Sequence, residues 1–389
     1  MSHGDWSSEE LSALRATTGE FVRREVLPHQ DEWEEAGELP RSLHRTAGDL
    51  GLIGVGFPES AGGGGAGQRA AVTVAEAFHE AGGAGGAYAS LFTAGIACPH
   101  IVTAGDADQI ARWVAPTLAG TMIGSLGITE PDGGSDVGGL RTTARREGDE
   151  YVVNGAKTYI TSGVRADFVT TAVRTGGGDR PGARGLSLLV LEKGMPGVEV
   201  TRRLSKMGWR CSDTAELSFT DVRVPATHLV GPEHAGFALI GSAFLTERIA
   251  LAAQAYSQAQ RCLDLATQWC RDRSTFGQPL ISRQSVQTAL VEMAMRIDVA
   301  RTYTRALVDR YCDGEPLEDL IPAVCFAKNT ATTSGEWVAH QAVQLFGGMG
   351  YMTECEVERQ YRDMRILGIG GGTVEILSQM AARRMGLVA

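Results

Sequence analysis

The stretch YVVNGAKTYIT, residues 151–161, decides the fold class of this chain. Two runs with high β-propensity flank Asn154-Gly155, and such a dipeptide is the strongest short signal for a β-hairpin. DFVTTAVRT (167–175), LSLLVLE (186–192) and AELSFTDVRVP (215–225) follow and are similarly rich in β-branched and aliphatic residues. Alternation in the last of these indicates a sheet with one solvated face. We therefore predict a central β domain over residues 121–234.

Helical patterns lie on both sides of this β domain. On the amino-terminal side, residues 1–120 are predicted to be all-α, with Ser7 or Ser8 as a helix cap and Leu11, Leu14 and Phe21 at helical spacing. On the carboxy-terminal side, residues 235–389 contain four long helical patterns, the third beginning near Ile321, which predict an up-down bundle. The sequence thus predicts a multidomain α+β protein.

Composition narrows the classes of function. The 389 residues carry a formal net charge of −10, which argues against general binding of nucleic acid. The seven cysteines are scattered, with no metal-type spacing, so we expect reduced thiols and no metal site. We find no signal peptide and no apolar run of the ~18 residues that span a bilayer. We expect a cytoplasmic protein without a membrane span.

Five segments carry a family resemblance. They are ITEPDGGSD (128–136), KTYITSG (157–163), RDRSTFGQPL (271–280), QLFGGMGY (344–351) and GIGGGT (368–373). Their order and spacing resemble those of the acyl-CoA dehydrogenases over nearly the whole chain. The resemblance implies an N-terminal helical domain, a barrel-like β domain and a C-terminal four-helix bundle. It also implies an FAD cofactor, a homotetramer or at least a homodimer, and electron transfer to an electron-transferring flavoprotein.

The reaction that the resemblance implies is α,β-dehydrogenation of an acyl thioester to the trans-2-enoyl thioester. A thioester α-C–H is a weak acid, so the site needs a carboxylate base and donors for the developing enolate oxygen. In this reaction the β-hydrogen leaves as a hydride to flavin N5, because the flavin carries the redox step.

The expected position of the base is unusual. In many members the end loop reads I-Y-E-G-T and its Glu is the base, whereas Gly371 stands at that place here. The isovaleryl-CoA and long-chain enzymes carry the Glu on the first bundle helix, in a segment like L-E-R, and have a Gly-rich end loop. Residues 244–248 read FLTER and have Glu247 at that place. We therefore predict Glu247 as the base, with the Gly371 N–H and a flavin ribityl hydroxyl as donors to the thioester oxygen.

The resemblance assigns the other site residues. Those expected against the flavin ring are Leu126, Ile128 and Thr129 on one wall and Tyr159, Ile160 and Thr161 on the other, with Tyr159 replacing the usual Trp. Gly134 and Ser135 would lie near the pyrophosphate, and Ser135, Phe244 and Arg248 near the substrate. Residues expected at FAD, partly from a neighbouring subunit, are Arg273, Thr275, Phe276, Gln344, Gly348, Thr373 and Glu375.

Alternatives stay open at this point. Leu245 replaces the Asp or Asn that can contact the pantetheine arm, so an acyl group on a carrier protein is possible besides acyl-CoA. The basic residues Arg202, Arg203, Lys206 and Arg210 are either a phosphate or carrier contact or a solvated loop. A flavin oxidase or monooxygenase of the same superfamily and a non-catalytic scaffold are the other classes considered. Phe244, Met207, Tyr256 and Met349 are candidates for shaping the acyl pocket, whose chain length the sequence does not define.

Overall fold

A computed structural model describes residues 5–176 and 182–387 of the chain. The predicted order of helical, β-sheet and helical segments is confirmed. The amino-terminal part ends at Leu118, the first strand begins at Gly124 and the first bundle helix begins at Gly236. Ser8 caps the first helix by accepting a hydrogen bond from the Leu11 N–H. The helices of the amino-terminal part are α1 (Glu9–Phe21), α2 (Gln30–Ala36), α3 (Arg41–Asp49), α4 (Gly67–Glu80), α5 (Gly85–Leu91), α6 (Ala94–Ala97), α7 (Pro99–Ala104), α8 (Ala107–Gln109) and α9 (Ala115–Leu118), with π-helical turns at Val22–Val26 and Ile110–Val114.

The central part is one mixed sheet. Its strands are β1 (Gly124–Gly127), β2 (Thr143–Glu147), β3 (Glu150–Thr161), β4 (Phe168–Arg174), β5 (Leu186–Glu192), β6 (Val198–Arg203), β7 (Thr214–Pro225) and β8 (Leu229–Val230). The order across the sheet is β6-β7-β3-β2-β4-β5-β8, and β1 runs parallel to β4. β1 also lies beside the end of β3, where Ser125 Oγ donates to the Thr161 carbonyl oxygen, and two of the family segments meet there.

The predicted hairpin at Asn154-Gly155 is wrong. Both residues lie inside the continuous strand β3, which pairs with β7 on either side of a bulge between Val153 and Gly155. The turn lies earlier, between Glu147 and Glu150, where Gly148 has φ +63°. Gly155 is needed for a close approach, since a Cβ there would lie 2.6 Å from Thr142 Oγ1. Pairing along the whole strand therefore overrides the local turn preference.

The sheet is apolar on two faces. Alternate residues of β4, Phe168 and Ala172, belong to the large core that also contains the helices. Val169 and Val173 point the other way, into a second core within the β domain. Because successive side chains of a strand point to opposite faces, β4 is covered on both sides. This packing fixes one face of the sheet against the helices and the other around the core of the β domain.

The carboxy-terminal part contains the bundle, with helices α10 (Gly236–Asp272), α11 (Gln284–Cys312), α12 (Leu317–Phe346), α13 (Glu356–Met364) and α14 (Val374–Arg384). Between α10 and α11 the short strands β9 (Ser274–Thr275) and β10 (Gln278–Pro279) form a hairpin. The third bundle helix starts at Leu317 and not near Ile321, because Pro322 is accommodated within its first two turns. The short helix α13 is not predicted from the sequence.

One bundle helix, α10, is long and apolar enough by composition to cross a membrane, so the statement that no such segment exists is wrong for the described part of the chain. A bent pair, Gly85–Leu91 with Ala94–Ala104, also passes that test when it is counted as one span. Core helices of soluble proteins have the same composition, and α10 contacts α11, α12 and α4. Its apolar character therefore suits its central place in the bundle.

A buried carboxylate joins the three parts of the chain. Asp363 in α13 accepts hydrogen bonds from the Trp209 N–H at 2.6 Å and from the Gly85 N–H at 3.1 Å. Burial is the largest effect on its side chain and raises the pKa of Asp363 to about 6. α13 leads directly into residues 365–373, so this junction fixes the glycine loop relative to the other two domains.

Candidate active site

The glycine loop, residues 369–373, lies between a 3-10 turn at Arg365–Gly368 and α14. Thr373 caps α14 by accepting a hydrogen bond from the Ile376 N–H. Gly371 has φ +64°, a left-handed conformation that favours glycine. A Cβ at Gly371 would also lie 2.5 Å from Leu251 Cδ1. Two independent constraints, conformation and space, therefore require glycine at this point.

Glu247 of α10 faces this loop. Its Oε1 atom lies 3.5 Å from the position that a Cβ on Gly371 would take. Burial raises the pKa of Glu247 to about 7, although the charges of Arg248 and Lys328 lower it in part. The residue keeps some exposure to solvent. A carboxylate with a pKa near neutrality, accessible from one side, is suited to accept a proton from a bound molecule.

Two cations hold the glycine loop from two helices. Arg248 Nε donates to the Gly371 carbonyl oxygen at 2.9 Å, and its guanidinium lies 5.4 Å from the centre of the Phe244 ring. Lys328 Nζ of α12 donates to the Gly372 carbonyl oxygen at 2.6 Å. The structure thus brings Glu247, Arg248, Phe244 and Gly371 together. Sequence reasoning missed Lys328, whose only signal was a cation among the apolar residues of α12.

The two predicted flavin walls lie side by side where β1 and β3 end. The Thr158 N–H donates to the Thr129 carbonyl oxygen at 2.9 Å, and Ser125 Oγ donates to the Thr161 carbonyl oxygen at 2.6 Å. Lys157 joins them further, since Nζ donates to the Ile128 carbonyl oxygen at 3.1 Å. The segments around residues 126–129 and 159–161 therefore form one rigid surface.

A buried ion pair lies behind this surface. Lys157 Nζ is 2.8 Å from Glu130 Oε1, and both side chains are almost fully buried. Glu130 also accepts hydrogen bonds from the main chain of Arg141 and from the Thr142 N–H and hydroxyl. A buried ion pair tolerates desolvation only when its remaining groups are satisfied in this way. Sequence reasoning missed both members, because each stands within a motif that the more prominent neighbours already explained.

Tyr159 has the conformation expected of a ligand-facing residue. Its φ is +59°, which is uncommon for a residue other than glycine, and 69% of its surface is exposed. The strand register shifts between Lys157 and Ile160, and this irregularity turns Tyr159 outward. Such strain persists where the surrounding structure enforces it, often at binding sites.

The predicted flavin-wall residues differ in exposure. The Ile160 side chain is 2% exposed and belongs to the core inside the β domain, so only its main chain is available at the wall. Ile128 is also largely buried, with 7% of its surface exposed, whereas Leu126, Thr129 and Thr161 are partly exposed. Gly134 and Ser135 are exposed, on the turn that follows the Glu130–Gly133 bridge.

The remaining predicted FAD residues fall into two groups. Thr373 and Glu375 stand at the start of α14, next to the glycine loop. Arg273, Thr275, Phe276, Gln344 and Gly348 lie at the other end of the bundle, where Trp269 stacks on Phe346 with ring centres 4.7 Å apart. The 25 residue-to-residue steps of α10 from Glu247 to Asp272 span about 38 Å at ~1.5 Å per residue. The second group is therefore too distant from Glu247 for one bound dinucleotide to reach both within a single chain.

The hairpin between α10 and α11 has an exposed apolar residue at its tip. Phe276 and Gly277 both have positive φ, and 97% of the Phe276 surface is exposed. Arg283 lies over the Phe276 ring at 5.5 Å and donates to the Thr275 carbonyl and hydroxyl oxygens. The hairpin is thus fixed from below while its apolar tip faces outward.

The structure also shows the contacts of the basic cluster and of two other residues singled out in the sequence. Arg203 donates to the Gly37 carbonyl oxygen and to Glu38, and Lys206 donates to the Ser212 carbonyl oxygen. Two of the four basic residues therefore make contacts within the protein, which weakens the interpretation of the cluster as a phosphate contact. Tyr256 is a core residue whose hydroxyl donates to Glu76, and its contact with the acyl group stays a prediction. Leu245 is 4% exposed and also lies in the core.

Comparison with known proteins agrees with this geometry. The chain matches the acyl-CoA dehydrogenase N-terminal domain over residues 8–121, the middle domain over 125–222 and the C-terminal domain over 234–386. This protein belongs to the acyl-CoA dehydrogenase family. It is therefore a flavoprotein and an oxidoreductase that acts on CH–CH bonds.

Individual relatives cover nearly the whole chain. The long-chain specific mitochondrial acyl-CoA dehydrogenase of Rattus norvegicus is 37% identical over 97% of this chain and 87% of its own length. A proposed acyl-CoA dehydrogenase of Mycobacterium smegmatis has a crystal structure with a TM-score of 0.97 and 64% identity, covering 99% of this chain and all (100%) of its own. A prolyl acyl carrier protein oxidase, AnaB, matches with a TM-score of 0.91 and 25% identity over 97% of this chain and 99% of its own.

Proposed function

We propose that the protein catalyses FAD-dependent α,β-dehydrogenation of an acyl-CoA to the trans-2-enoyl-CoA, with Glu247 as the base that takes the α-proton. One observation carries this proposal: the carboxylate of Glu247 faces the main chain of Gly371, and its pKa is raised to about 7. At neutral pH a substantial fraction is ionised, while its basicity exceeds that of an ordinary carboxylate.

The thioester oxygen requires donors on the same side. Among the described residues, the Gly371 N–H donates to no hydrogen-bond acceptor. Its carbonyl is held by Arg248, so the adjoining peptide units have a defined orientation. A main-chain donor fixed beside a carboxylate can stabilise charge that develops on the oxygen as the α-proton leaves. Arg248 acts in this proposal by positioning the loop, and Phe244 lies beside it.

The ends of β1 and β3 fit a flavin. They offer the accessible aromatic ring of Tyr159, the hydroxyls of Thr129 and Thr161 and the apolar side chain of Leu126. Such a lining suits a planar, mostly apolar ring. Bound FAD would accept the hydride equivalent from the β-carbon. Ser135 and Gly134, on the exposed turn, would contact its pyrophosphate.

The distance along α10 supports a cofactor site shared between subunits. Arg273, Thr275, Phe276, Gln344 and Gly348 would serve the FAD of a neighbouring chain in a homotetramer, or at least a homodimer. Exposed apolar residues recur along one side of α11 at Val291, Met295 and Val299, which suits an interface. Electrons would pass to an electron-transferring flavoprotein. The seven cysteines are free thiols, in keeping with a cytoplasmic protein.

A second candidate, oxidation of an acyl group on a carrier protein, is favoured by Leu245. This residue is buried where related enzymes have a polar side chain for the pantetheine arm, and one similar structure is a carrier-protein oxidase. An oxidase or monooxygenase would differ from a dehydrogenase in the fast reaction of its reduced flavin with oxygen.

The test is the visible spectrum of the purified protein during anaerobic addition of acyl-CoAs of increasing chain length. Bleaching by one chain length supports acyl-CoA dehydrogenation and begins to define the substrate. A flavin spectrum that bleaches only with an acyl carrier protein thioester supports the second candidate. A flavin spectrum that no acyl thioester bleaches contradicts both, and admission of air after chemical reduction measures the oxygen reaction.

A further inference from the structure

A buried lysine that has no part in the proposed chemistry lies below the glycine loop. Lys328 of α12 is 0% exposed, and its neighbours on the helix, Val324, Ala327 and Ala331, are buried and apolar. Its ammonium group donates to the Gly372 carbonyl oxygen at 2.6 Å. A buried cation is costly unless it is hydrogen-bonded or paired, so an apolar residue would suit this face of α12 better.

Lys328 and Arg248 hold the loop from two different helices. Arg248 of α10 holds the Gly371 carbonyl oxygen, and Lys328 of α12 holds the next one, of Gly372. On the preceding side the Gly370 N–H donates to the Ile366 carbonyl oxygen at 2.8 Å. Three consecutive glycines would otherwise have wide conformational freedom. These three hydrogen bonds restrain the main chain on both sides of Gly371.

We propose that Lys328 is a positioning residue, which holds the Gly371–Gly372 main chain in register with the Glu247 carboxylate. This inference rests on the proposed function, because the alignment of the loop with Glu247 matters only if Glu247 is the base. The hydrogen bond from Lys328 does not depend on that function. Lys328 touches neither the reacting atoms nor the cofactor in this scheme. It acts through the peptide units of the loop.

The charges around Lys328 give it a second effect. Glu247 and Arg248 face it from α10, and Cys325 lies one turn earlier on α12. Burial lowers the pKa of Lys328 to about 8, so the group is largely protonated at neutral pH. Its positive charge then lowers the pKa of Glu247 and partly offsets the effect of burial on that carboxylate. Removal of the charge should therefore raise the pH at which Glu247 ionises.

The experiment compares Lys328→Met with the wild-type holoenzyme and with Lys193→Met, which changes an exposed lysine far along the chain. Amide hydrogen exchange is measured on a peptide that covers residues 366–377. Loss of a hydrogen bond from a charged donor should speed exchange there about 10-fold or more, since each ~1.4 kcal/mol is a factor of ten. The Lys193 variant should exchange as the wild type does.

Kinetics give the second readout. In Lys328→Met the rate of flavin reduction by the best acyl thioester should fall about 10-fold or more, with the acidic limb of its pH profile moved to higher pH. Wild-type exchange in the loop would overturn the proposal, and a shifted pH profile beside it would show only the effect of the charge on Glu247. If Lys328→Met does not fold, as circular dichroism would show, Lys328→Gln is subjected to the same two measurements.

The two proposals fail separately. If no acyl thioester reduces the wild-type flavin, the proposed function is wrong, whereas hydrogen exchange still decides whether Lys328 holds the loop. If wild-type reduction is normal and the exchange of the loop is unchanged in the variant, only the role of Lys328 is wrong.

Discussion

Gly371 lies directly against Glu247: a Cβ on the glycine would come within 3.5 Å of the carboxylate oxygen Oε1. The end loop and the first bundle helix thus meet at one point, although 124 residues separate them, from 247 to 371. Because the two chain positions share one place, a carboxylate supplied from either could reach the same bound atom. The loop therefore needs no Glu, because Glu247 supplies the carboxylate at the same place.

Glu247→Gln should retain bound flavin and lose turnover. The amide keeps the size of the carboxylate but cannot accept the α-proton, and positioned general bases contribute about 10²–10⁴-fold. Flavin content is measured by absorbance and turnover by anaerobic flavin reduction. Glu318→Gln, which changes an exposed carboxylate in the first turn of α12, is the matched control and should behave as the wild type. Near-normal turnover in Glu247→Gln would contradict the assignment of the base.

The reaction should depend on the ionisation of Glu247. Burial raises its pKa to about 7, and only the ionised form accepts a proton. The value of kcat/KM should therefore fall as pH drops through about 7, approaching a tenfold loss per unit below it. A steady-state pH profile with the identified substrate provides the measurement. A profile that stays flat down to about pH 5 would show that no group with this raised pKa controls the reaction.

The same pKa shift makes a prediction about stability. Between pH 4.5, the ordinary pKa of a glutamate, and a pH of about 7, Glu247 is protonated in the folded state but ionised in the unfolded state. The group therefore favours folding at low pH, and this contribution is lost as pH rises through about 7. Glu247→Gln should therefore stabilise the protein above about pH 7 and have little effect below 4.5. Urea denaturation of both proteins across this range measures the difference. An effect that is independent of pH would contradict the prediction.

Gly371→Ala should cost more stability than its conformation alone explains. A left-handed φ costs a residue with a Cβ about 1–2 kcal/mol, and crowding in a packed site adds about 1–3 kcal/mol. Gly148→Ala is a close control, because its φ of +63° nearly equals the +64° of Gly371 and no atom lies within 4 Å of its Cβ position. The extra free energy of unfolding lost in Gly371→Ala measures the contact with Leu251. Equal losses in the two variants would show that the loop moves freely away from α10.

Much of this site could be predicted because the residues that define it stand in motifs. The shift of the catalytic Glu from position 371 to position 247 is visible in two short segments of the sequence. The contact between these segments follows from the packing of the bundle, which the helical periodicity predicts. Lys328 and Lys157 differ, since a single lysine in an apolar helix or strand gives no sign of which neighbouring segment will cover it. Lys328 donates to a carbonyl oxygen of the glycine loop, and Lys157 donates to the Ile128 carbonyl oxygen and to the Glu130 carboxylate. Main-chain acceptors leave no mark in a sequence.

Local signals also failed where tertiary contacts outweighed them. Asn154-Gly155 has the composition of a turn, yet β7 pairs with the strand on both sides of it. Ile160 belongs to a motif that contacts the cofactor in the family, but the alternation of the strand sends its side chain into the core. Motifs therefore located the segments, while the direction of each side chain depended on the register of the sheet.

Phe276→Ala should lower the flavin content of the assembled protein and leave the fold of each chain unchanged. The side chain is 97% exposed within one chain, and its ring contact is with Arg283. Exposed positions of this kind change stability by about 0.5 kcal/mol or less, so a large effect must arise from another subunit. Flavin content is measured by the absorbance ratio after gel filtration with light scattering, and unfolding by circular dichroism. Leu50→Ala, at an exposed apolar residue of the N-terminal domain, is the control and should keep its flavin. If Phe276→Ala retains both flavin and assembly, the tip of the hairpin has no part in a neighbouring flavin site.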